Sequence, residues 1–234
     1  MVARAVSDGQ PDRFVKLVRH REDSPSLAAE AERLRWLAGK VPVPTVLDHG
    51  GDDAAEWLVT TALAGMDATA PELGVDVEHL ARLLGQALRR LHDSLDPAEC
   101  PFDGSTPVLV AHARDRVERG LVDPADFDPI HHGLSADELL GHVVDRQPDL
   151  PVDPVVTHGD FCLPNVVFEG GQLSGFLDVG LLGVGDRYRD LGIGARSVAV
   201  NLGGGAVGPF FDAYGIEWPD LARVDFFVML DELF

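Results

Sequence analysis

The sequence predicts an α+β fold, with a small β-rich N-terminal lobe followed by a larger and mainly helical C-terminal lobe. Before residue 62, short runs of β-branched and aromatic residues surround one helical segment. From residue 63 onward, apolar residues recur at helical spacing in several long segments. Two apolar runs of the β type also flank a polar loop between residues 154 and 168. With 234 residues and 45% hydrophobic content, the chain can bury a sizeable core.

The N-terminal lobe is assigned to residues 1–62, where one helix and several strands are expected. These elements are a hairpin over residues 3–18 with its turn at residues 8–9, a helix over residues 25–39, and strands near residues 45–48 and 56–61. The helix is amphipathic, with an apolar stripe made of Leu27, Ala31, Leu34 and Leu37. Two prolines, Pro42 and Pro44, keep the segment after it extended.

The C-terminal lobe is assigned to residues 63–234 and is predicted to be mainly helical. The expected helices cover residues 79–92, 108–119 and 135–147, a segment that begins at Asp186, and residues 220–232. Ser135 and Glu138 form a capping-box pattern at the start of the third helix. Residues 202–208 contain four glycines, and we interpret them as a loop because no strand directly precedes them.

One motif in the polar loop indicates a reaction. Asp160 is followed by Asn165 after five positions and by Asp178 after thirteen more. This order of residue types is that of kinase-type phosphoryl transfer. Asp160 would accept a hydrogen bond from the attacking hydroxyl, and Asn165 and Asp178 would hold Mg²⁺, which prefers oxygen ligands. Residues 158–160 alone would more often be a simple turn, but the full spacing favours a catalytic loop.

At these residues the chain resembles the aminoglycoside phosphotransferases, and among them it is most similar to the aminoglycoside 3'-phosphotransferases. The similar segments are residues 155–190, residues 36–44 after the first helix, and residues 230–234 at the C-terminus. The resemblance implies a protein-kinase-like two-lobe fold. It also implies ATP, with GTP possible, as the phosphoryl donor, Mg²⁺ as the metal ion, and the 3'-hydroxyl of an aminoglycoside as the acceptor.

The resemblance implies roles for individual residues around the nucleotide. Asp160 matches the catalytic Asp of the family, and Asn165 and Asp178 match its metal ligands. Lys16 matches the lysine that binds the nucleotide phosphates, and Glu30 matches the Glu that pairs with it. Lys16 has support of its own, because only Lys16 and Lys40 among the nineteen basic residues are lysines.

Further roles concern the hinge, the substrate and the support of the catalytic loop. Ala62 and Leu63 lie in the expected hinge beside the nucleotide base. His158 and Asp190 are expected to brace the catalytic loop rather than to react. The residues expected to bind the aminoglycoside are Arg196, Asp231, Glu232 and Phe234.

The sequence departs from the family pattern in three ways. The family has a strand and a phosphate-covering loop before its lysine strand, whereas only fifteen residues precede Lys16. We therefore expect an N-terminally truncated chain with an incomplete nucleotide-binding lobe. Leu181 stands where the relatives carry Arg, and Val200 and Asn201 stand where they carry an acidic pair that binds substrate ammonium groups. The last difference leaves the range of substrates open.

Composition limits the classes of partner. The net charge of −20 and the pI of about 4.6 exclude a basic nucleic-acid-binding face and suit a polycationic substrate, although a generally acidic proteome would explain the same charge. Cys100 and Cys162 show no metal-ligand spacing and no disulfide framework. No signal peptide and no apolar run long enough for a membrane span are present, so we expect a cytoplasmic protein.

Two alternatives to an aminoglycoside 3'-kinase stay open. A related small-molecule kinase with another hydroxyl substrate is favoured by Val200 and Asn201. A non-catalytic, truncated kinase-like protein is favoured by the short N-terminus before Lys16.

Overall fold

The computed structural model describes residues 1–5, 12–19, 26–148 and 154–234 and confirms the predicted α+β class. An antiparallel sheet forms the N-terminal part, with strands β1 (Val2–Ala5), β2 (Arg13–Arg19), β3 (Val46–Gly51) and β4 (Ala55–Thr61) in the order β1-β2-β4-β3. The predicted strands therefore exist, and their sequence neighbours pair as hairpins. The predicted turn at residues 8–9 lies outside the described residues.

Helix α1 (Leu27–Leu37) packs against one face of this sheet. It begins after Ser26, whose hydroxyl accepts a hydrogen bond from the Ala29 N–H at 3.2 Å and so caps the first turn. The predicted apolar stripe is buried as expected, and Glu30 is buried with it. This burial places an acidic side chain at the bottom of the N-terminal lobe, where it faces β2.

The remaining helices belong to the C-terminal part. They are α2 (Val77–Ser94), α3 (Thr106–Glu118), α4 (Ala136–Asp145), α5 (Tyr188–Leu202), α6 (Val207–Tyr214) and α7 (Leu221–Asp231). The capping box at the start of α4 is confirmed, because Ser135 and Glu138 exchange both hydrogen bonds. Asp186, predicted at the start of α5, accepts a hydrogen bond from the Tyr188 N–H at 2.9 Å.

Helix α6 was not predicted, because the glycines before it indicate a loop. The structure has a short 3-10 turn at Gly204–Ala206, and α6 follows directly. The helix forms because Phe210, Phe211 and Tyr214 are buried against α2. The contact is close, since a Cβ placed on Gly85 of α2 would lie 2.2 Å from the Phe210 carbonyl oxygen. Tertiary packing therefore outweighs the weak local preference for a helix.

Five short strands frame the loops of the C-terminal part. Strands β5 (Met66–Asp67), β7 (Val166–Glu169) and β8 (Gln172–Phe176) form one sheet, and β6 (Pro154–Thr157) pairs with β9 (Gly183–Asp186) in another. Strand β9 was not predicted because two of its four residues are glycines. Both are required, since a Cβ on Gly183 or Gly185 would lie 2.5–2.7 Å from the backbone of Gly104.

The two parts meet where α1 contacts the segment that follows β8. The Arg33 Nε–H donates to the Leu182 carbonyl oxygen at 2.8 Å, and the guanidinium lies 4.4 Å from the centre of the Phe102 ring. Trp36 packs edge-on against the same ring. These contacts close one side of a cleft between the sheet and the helices. Within the described ranges, no helix is both long and apolar enough to cross a membrane.

Candidate active site

The catalytic loop connects β6 with β7 and brings Asp160 and Asn165 together. The Asn165 amide nitrogen donates to the Asp160 carboxylate at 2.8 Å and to the Asp160 carbonyl oxygen at 3.0 Å. A short 3-10 turn over Leu163–Asn165 directs this amide back toward Asp160. Since its side-chain nitrogen is used in this way, the side-chain oxygen Oδ1 of Asn165 is the atom that can bind another partner.

Asp178 follows β8 and lies beside the catalytic loop. It is the only non-glycine among the described residues with a positive φ, of 54°, so its backbone turns sharply away from the strand. The preceding residue, Leu177, donates its N–H to the main-chain carbonyl oxygen of Asn165 at 2.9 Å. Gly159 is needed opposite this turn, since a Cβ there would lie 2.3 Å from the Leu181 carbonyl oxygen.

Lys16 on β2 contacts its predicted partner Glu30, and it also reaches across the cleft to Asp178. Its ammonium contacts the two Glu30 carboxylate oxygens at 2.8 Å and 2.9 Å, and it also contacts the Asp178 carboxylate. Burial lowers the pKa of Lys16, but Glu30 and Asp178 outweigh it and hold the pKa above its ordinary value. Burial raises the pKa of Glu30 against the opposing effect of Lys16. Lys16 therefore stays charged.

A cavity of about 230 Å³ lies above these side chains, between the sheet and the catalytic loop. Polar groups line its floor, and apolar side chains of the sheet, such as Leu58, line its roof. Of the two expected hinge residues, Leu63 lines the cavity, whereas the Ala62 N–H donates to the Asp12 carbonyl oxygen at 2.9 Å. The residues that line the cavity include Lys16, Glu30, Asn165, Leu177 and Asp178.

Asp190 on α5 holds the catalytic loop from below. Its carboxylate accepts the N–H groups of His158 at 2.6 Å and Gly159 at 2.8 Å, and the His92 Nε2–H at 2.9 Å. The Asp190 side chain is fully buried. Burial would raise its pKa, but hydrogen bonding and charge from His92 and the loop outweigh this and hold the pKa below its ordinary value.

The imidazole of His158 packs beneath the loop between two aromatic rings. Its ring centre lies 6.1 Å from those of Phe161 and Phe176, and the residue has no exposed surface. Burial lowers the pKa of His158, against the opposing charges of Asp190 and Asp160. The side chain is therefore neutral, and its Nδ1 accepts a hydrogen bond from the Asp160 N–H at 3.3 Å.

The residues expected to bind substrate gather at the C-terminal end of the chain. Arg196 on α5 pairs with Asp231 at the end of α7 and lies 3.8 Å from Asp128. Burial raises the pKa of Asp231, Arg196 opposes this, and the charge of Asp160 raises it further. Arg196, Asp231 and Asp128 therefore form one charged cluster at the C-terminal end of the chain.

Glu232 and Phe234 are engaged by residues that sequence reasoning did not assign to the site. Glu232 accepts hydrogen bonds from His131 at 2.8 Å and from the Asp128 N–H at 2.9 Å. Arg116 on α3 donates to the carbonyl oxygens of Leu233 at 2.9 Å and Phe234 at 2.7 Å. The C-terminal segment is thus tied to α3 and to the turn at Pro129–His131.

The model of the "Phosphotransferase enzyme family" matches residues 2–227. The chain belongs to this family. An aminoglycoside 3'-phosphotransferase of Escherichia coli is 36% identical to this phosphotransferase over 237 residues, which cover 97% of this chain and 84% of that protein. The resemblance stated from the sequence is therefore confirmed.

Solved structures agree with this assignment. An aminoglycoside-3'-phosphotransferase of type VIII superposes with a TM-score of 0.89 at 34% identity, covering 100% of this chain and 88% of that one. Aminoglycoside phosphotransferase APH(3'')-Id from Streptomyces rimosus, solved with ADP and streptomycin, has a TM-score of 0.82 at 30% identity and covers 94% and 86%. The kinase-like two-lobe fold of this phosphotransferase is confirmed.

The donor set at the cleft floor fits Mg²⁺. Among the described residues, no three or more His, Cys, Asp or Glu side chains are arranged to hold a metal ion. Mg²⁺ in nucleotide sites, however, needs only one or two protein oxygens, because phosphates and water complete its shell. Asn165 and Asp178 both line the cavity, and the side-chain oxygens of Asn and Asp are ligands of this kind.

Sequence reasoning missed His92, Tyr214, Asp128, His131 and Arg116. His92 is buried on α2, and its Nδ1 lies 2.9 Å from the Tyr214 hydroxyl. These residues lie about a hundred positions from their partners, so no local pattern could have paired them. The one available signal was the placement of a histidine on the apolar face of α2.

Proposed function

We propose that this phosphotransferase transfers the γ-phosphoryl group of ATP to the 3'-hydroxyl of an aminoglycoside and so inactivates the antibiotic. One observation supports the proposal most directly: five side chains are linked by hydrogen bonds and ion pairs beside one cleft. They are Asp160, Asn165, Asp178, Lys16 and Glu30. The 3'-phosphotransferases among the relatives support the choice of acceptor hydroxyl.

In the proposed reaction, Asp160 accepts a hydrogen bond from the attacking hydroxyl and takes its proton as the phosphoryl group is transferred. The Asn165 amide fixes the orientation of that carboxylate. Lys16 binds the nucleotide phosphates, and Glu30 keeps its ammonium in place. Mg²⁺, when held by Asn165 and Asp178, would neutralise charge on the phosphates.

The acceptor is proposed to bind beside the Arg196–Asp231 pair, next to Glu232 and Phe234. In this arrangement a hydroxyl of the acceptor held beside Asp231 is presented to the Asp160 carboxylate. The strongly acidic chain, with a net charge of −20, attracts a polycationic substrate. His158 and Asp190 are proposed to hold the loop without touching either substrate.

The nucleotide is proposed to be ATP, with GTP as an alternative, bound under the sheet and beside Leu63 and Ala62. A relative solved with ADP supports an adenine nucleotide. Residues 1–62 would form the nucleotide-binding lobe, and residues 63–234 the catalytic and substrate-binding lobe. Since the reaction consumes ATP, we place the protein in the cytoplasm.

A second candidate is phosphorylation of a different hydroxyl on a related substrate. Val200 is 76% exposed on α5, and the Asn201 amide donates to the Ser197 carbonyl oxygen at 2.8 Å. Neither side chain supplies a negative charge to an ammonium group at this end of the site. The relative solved with streptomycin shows that one member of the family binds a differently built aminoglycoside.

The test is to incubate purified protein with ATP, Mg²⁺ and either kanamycin or streptomycin, and to locate the added phosphate by mass spectrometry. We expect phosphorylation at the 3'-hydroxyl of kanamycin by the wild type and a loss of at least about a hundredfold in Asp160→Asn. Lack of product from the wild type, or equal product from Asp160→Asn, would contradict the proposal. Product only from streptomycin would favour the second candidate.

Nucleotide binding distinguishes an active kinase from the non-catalytic alternative, which is expected not to bind Mg-ATP. A ligand that binds only the native state must raise the melting temperature. We expect millimolar Mg-ATP to stabilise the wild type and Asp160→Asn alike. An unchanged melting temperature for both would favour the non-catalytic alternative.

A further inference from the structure

The main chain that follows Asp178 makes one tight turn. A 3-10 turn covers Val179–Leu181, and the Leu182 N–H closes it by donating to the Val179 carbonyl oxygen at 3.1 Å. We call residues 178–182 the metal turn, because Asp178 is proposed to hold Mg²⁺. Two arginines, one from each part of the chain, donate hydrogen bonds to the carbonyl oxygens at the end of this turn.

Arg189 holds the metal turn from the C-terminal part. This residue of α5 is 6% exposed, and its Nη1 donates to the Leu181 carbonyl oxygen at 3.2 Å. The same carbonyl oxygen faces Gly159 of the catalytic loop, where a Cβ would lie 2.3 Å away from it. Asp190, the next residue of α5, accepts the Gly159 N–H at 2.8 Å. Helix α5 therefore holds the metal turn and the catalytic loop together.

Arg33 holds the metal turn from the N-terminal part. The Nε–H of this half-buried side chain donates to the Leu182 carbonyl oxygen at 2.8 Å. Its Nη1 donates at 3.1 Å to the carbonyl oxygen of Ala29, one turn back on α1, and the guanidinium lies over the Phe102 ring. The contacts with Ala29 and Phe102 fix the guanidinium in one orientation, so that Nε points at the metal turn.

Helix α1 connects the metal turn to Lys16. Glu30 precedes Arg33 by three residues, so both side chains lie on one face of α1. The Glu30 carboxylate binds the Lys16 ammonium at 2.8 Å and 2.9 Å. A Cβ placed on Gly180 would lie 3.7 Å from the Glu30 Cβ, which is ordinary van der Waals contact. One helix therefore holds Lys16 through Glu30 and the metal turn through Arg33.

We propose that Arg33 is a positioning residue for phosphoryl transfer, because its hydrogen bond to Leu182 fixes the metal turn, and with it Asp178, relative to Lys16. The inference rests on the proposed function, in which Asp178 holds Mg²⁺ and Lys16 binds the phosphates of the same nucleotide. Without Arg33, the metal turn stays attached to α5 through Arg189 but is released from α1. Metal binding and the rate of transfer then fall, whereas binding of the acceptor is unchanged.

Two substitutions separate the hydrogen bond from the other contacts of Arg33. In Arg33→Gln, the amide nitrogen takes the place of Nε along the side chain and can still donate to Leu182. Arg33→Met has a similar length but no donor. Both variants lose the contact of the guanidinium with Phe102, so a difference between them reports the hydrogen bond. Arg35→Met is the matched control, since Arg35 is exposed on α1 and its guanidinium lies 3.1 Å from His49 Nδ1.

The first arm of the test measures metal binding and needs no activity. Each protein is titrated with Mn²⁺ in the presence of millimolar ADP, and free Mn²⁺ is measured by electron paramagnetic resonance. We expect Arg33→Met to bind Mn²⁺ about tenfold more weakly than the wild type, with Arg33→Gln and Arg35→Met within about threefold of it. Wild-type binding by Arg33→Met would overturn the inference, and so would an Arg33→Gln as weak as Arg33→Met.

The second arm measures steady-state kinetics with ATP, Mg²⁺ and kanamycin. We expect Arg33→Met to lower kcat about tenfold and to raise the Mg²⁺ concentration that gives half of the maximal rate, with the KM for kanamycin within about twofold. Arg33→Gln should recover most of the wild-type kcat. A KM for kanamycin that rises as much as kcat falls would indicate general distortion and overturn the positioning role. A wild type that phosphorylates no aminoglycoside would refute the proposed function instead, and the Mn²⁺ titration would still decide the role of Arg33.

Discussion

Two regions differ in the contacts that hold them: the catalytic loop is held by buried hydrogen bonds, and the region proposed to bind the acceptor is held by partly exposed charged side chains. Asp190 supports the loop with no exposed surface, and it accepts two backbone N–H groups directly. In the acceptor region, Arg196, Asp128 and Asp231 are 28%, 31% and 21% exposed and are joined by charge. Solvent weakens charged contacts of this kind. The difference teaches that the catalytic loop is held by buried backbone contacts, whereas the region proposed to bind the acceptor is held by partly exposed charged side chains.

The largest effect is expected from Asp190→Ala. Removal of the carboxylate leaves the N–H groups of His158 and Gly159 and the His92 ring N–H without an acceptor in the core. We expect the free energy of unfolding to fall by about 3 kcal/mol or more, with loss of phosphoryl transfer. Urea denaturation measures the change. As a control, Asp93→Ala on the exposed face of α2 should cost less than about 1 kcal/mol, and an equal loss in both would contradict the contrast.

This effect should also depend on pH, because the Asp190 pKa lies below its ordinary value. A lowered pKa stabilises the folded state above the unfolded pKa of about 3.9, and the stabilisation is lost as the pH falls through the folded value. The difference in unfolding free energy between wild type and Asp190→Ala should therefore be largest near pH 6 and shrink below about pH 4. A constant difference from pH 6 to pH 3 would argue against a charged Asp190.

The sequence predicts the residues of the catalytic loop better than the contacts that support the loop. Asp160, Asn165 and Asp178 lie in one continuous stretch with a diagnostic spacing, so they could be recognised without a structure. The support of the loop could be predicted only in part, because His92 contacts Asp190 across 98 positions. Strand β9 contains two glycines, and helix α6 follows a glycine-rich segment. Glycine favours loops locally, so neither element could be predicted. Only close packing, seen at Gly85 and Gly183, determines their structure.

The next largest effect is expected from Lys16→Met, which should weaken the use of ATP and leave the KM for the aminoglycoside nearly unchanged. In Lys16→Met, the cation proposed to bind the nucleotide phosphates is lost, and Glu30 stays buried without its ion-pair partner. We expect kcat/KM for ATP to fall about a hundredfold or more, with the KM for the aminoglycoside within about threefold. Lys40→Met is the matched control, because Lys40 is the only other lysine and pairs with the exposed Glu99. Steady-state kinetics with each substrate varied would check this, and equal losses in both variants would refute it.

A smaller effect is expected from Tyr214→Phe, which removes the hydroxyl that lies 2.9 Å from His92. The loss should cost about 1 kcal/mol of unfolding free energy. It should also lower kcat a few-fold, since His92 orients Asp190 beneath the loop. Tyr188→Phe removes a hydroxyl that accepts the Asp220 N–H at 3.0 Å, away from Asp190. A similar loss of stability with unchanged kcat is expected there, and a matching loss of kcat would show that stability alone is responsible.

The smallest effect on activity is expected from Cys162→Ala, although Cys162 lies within the catalytic loop. Burial, together with the Asp160 carboxylate, raises the pKa of Cys162 to about 12, so the thiol stays neutral during the reaction. Activity should change by less than about threefold, because only a weak S–H donor is lost. The neutral thiol can be tested separately with iodoacetamide at pH 8.5, where an ordinary cysteine is about half thiolate. Native Cys162 should then be alkylated on the order of a thousandfold more slowly than in the urea-unfolded chain, and comparable rates would mean that the loop opens to solvent.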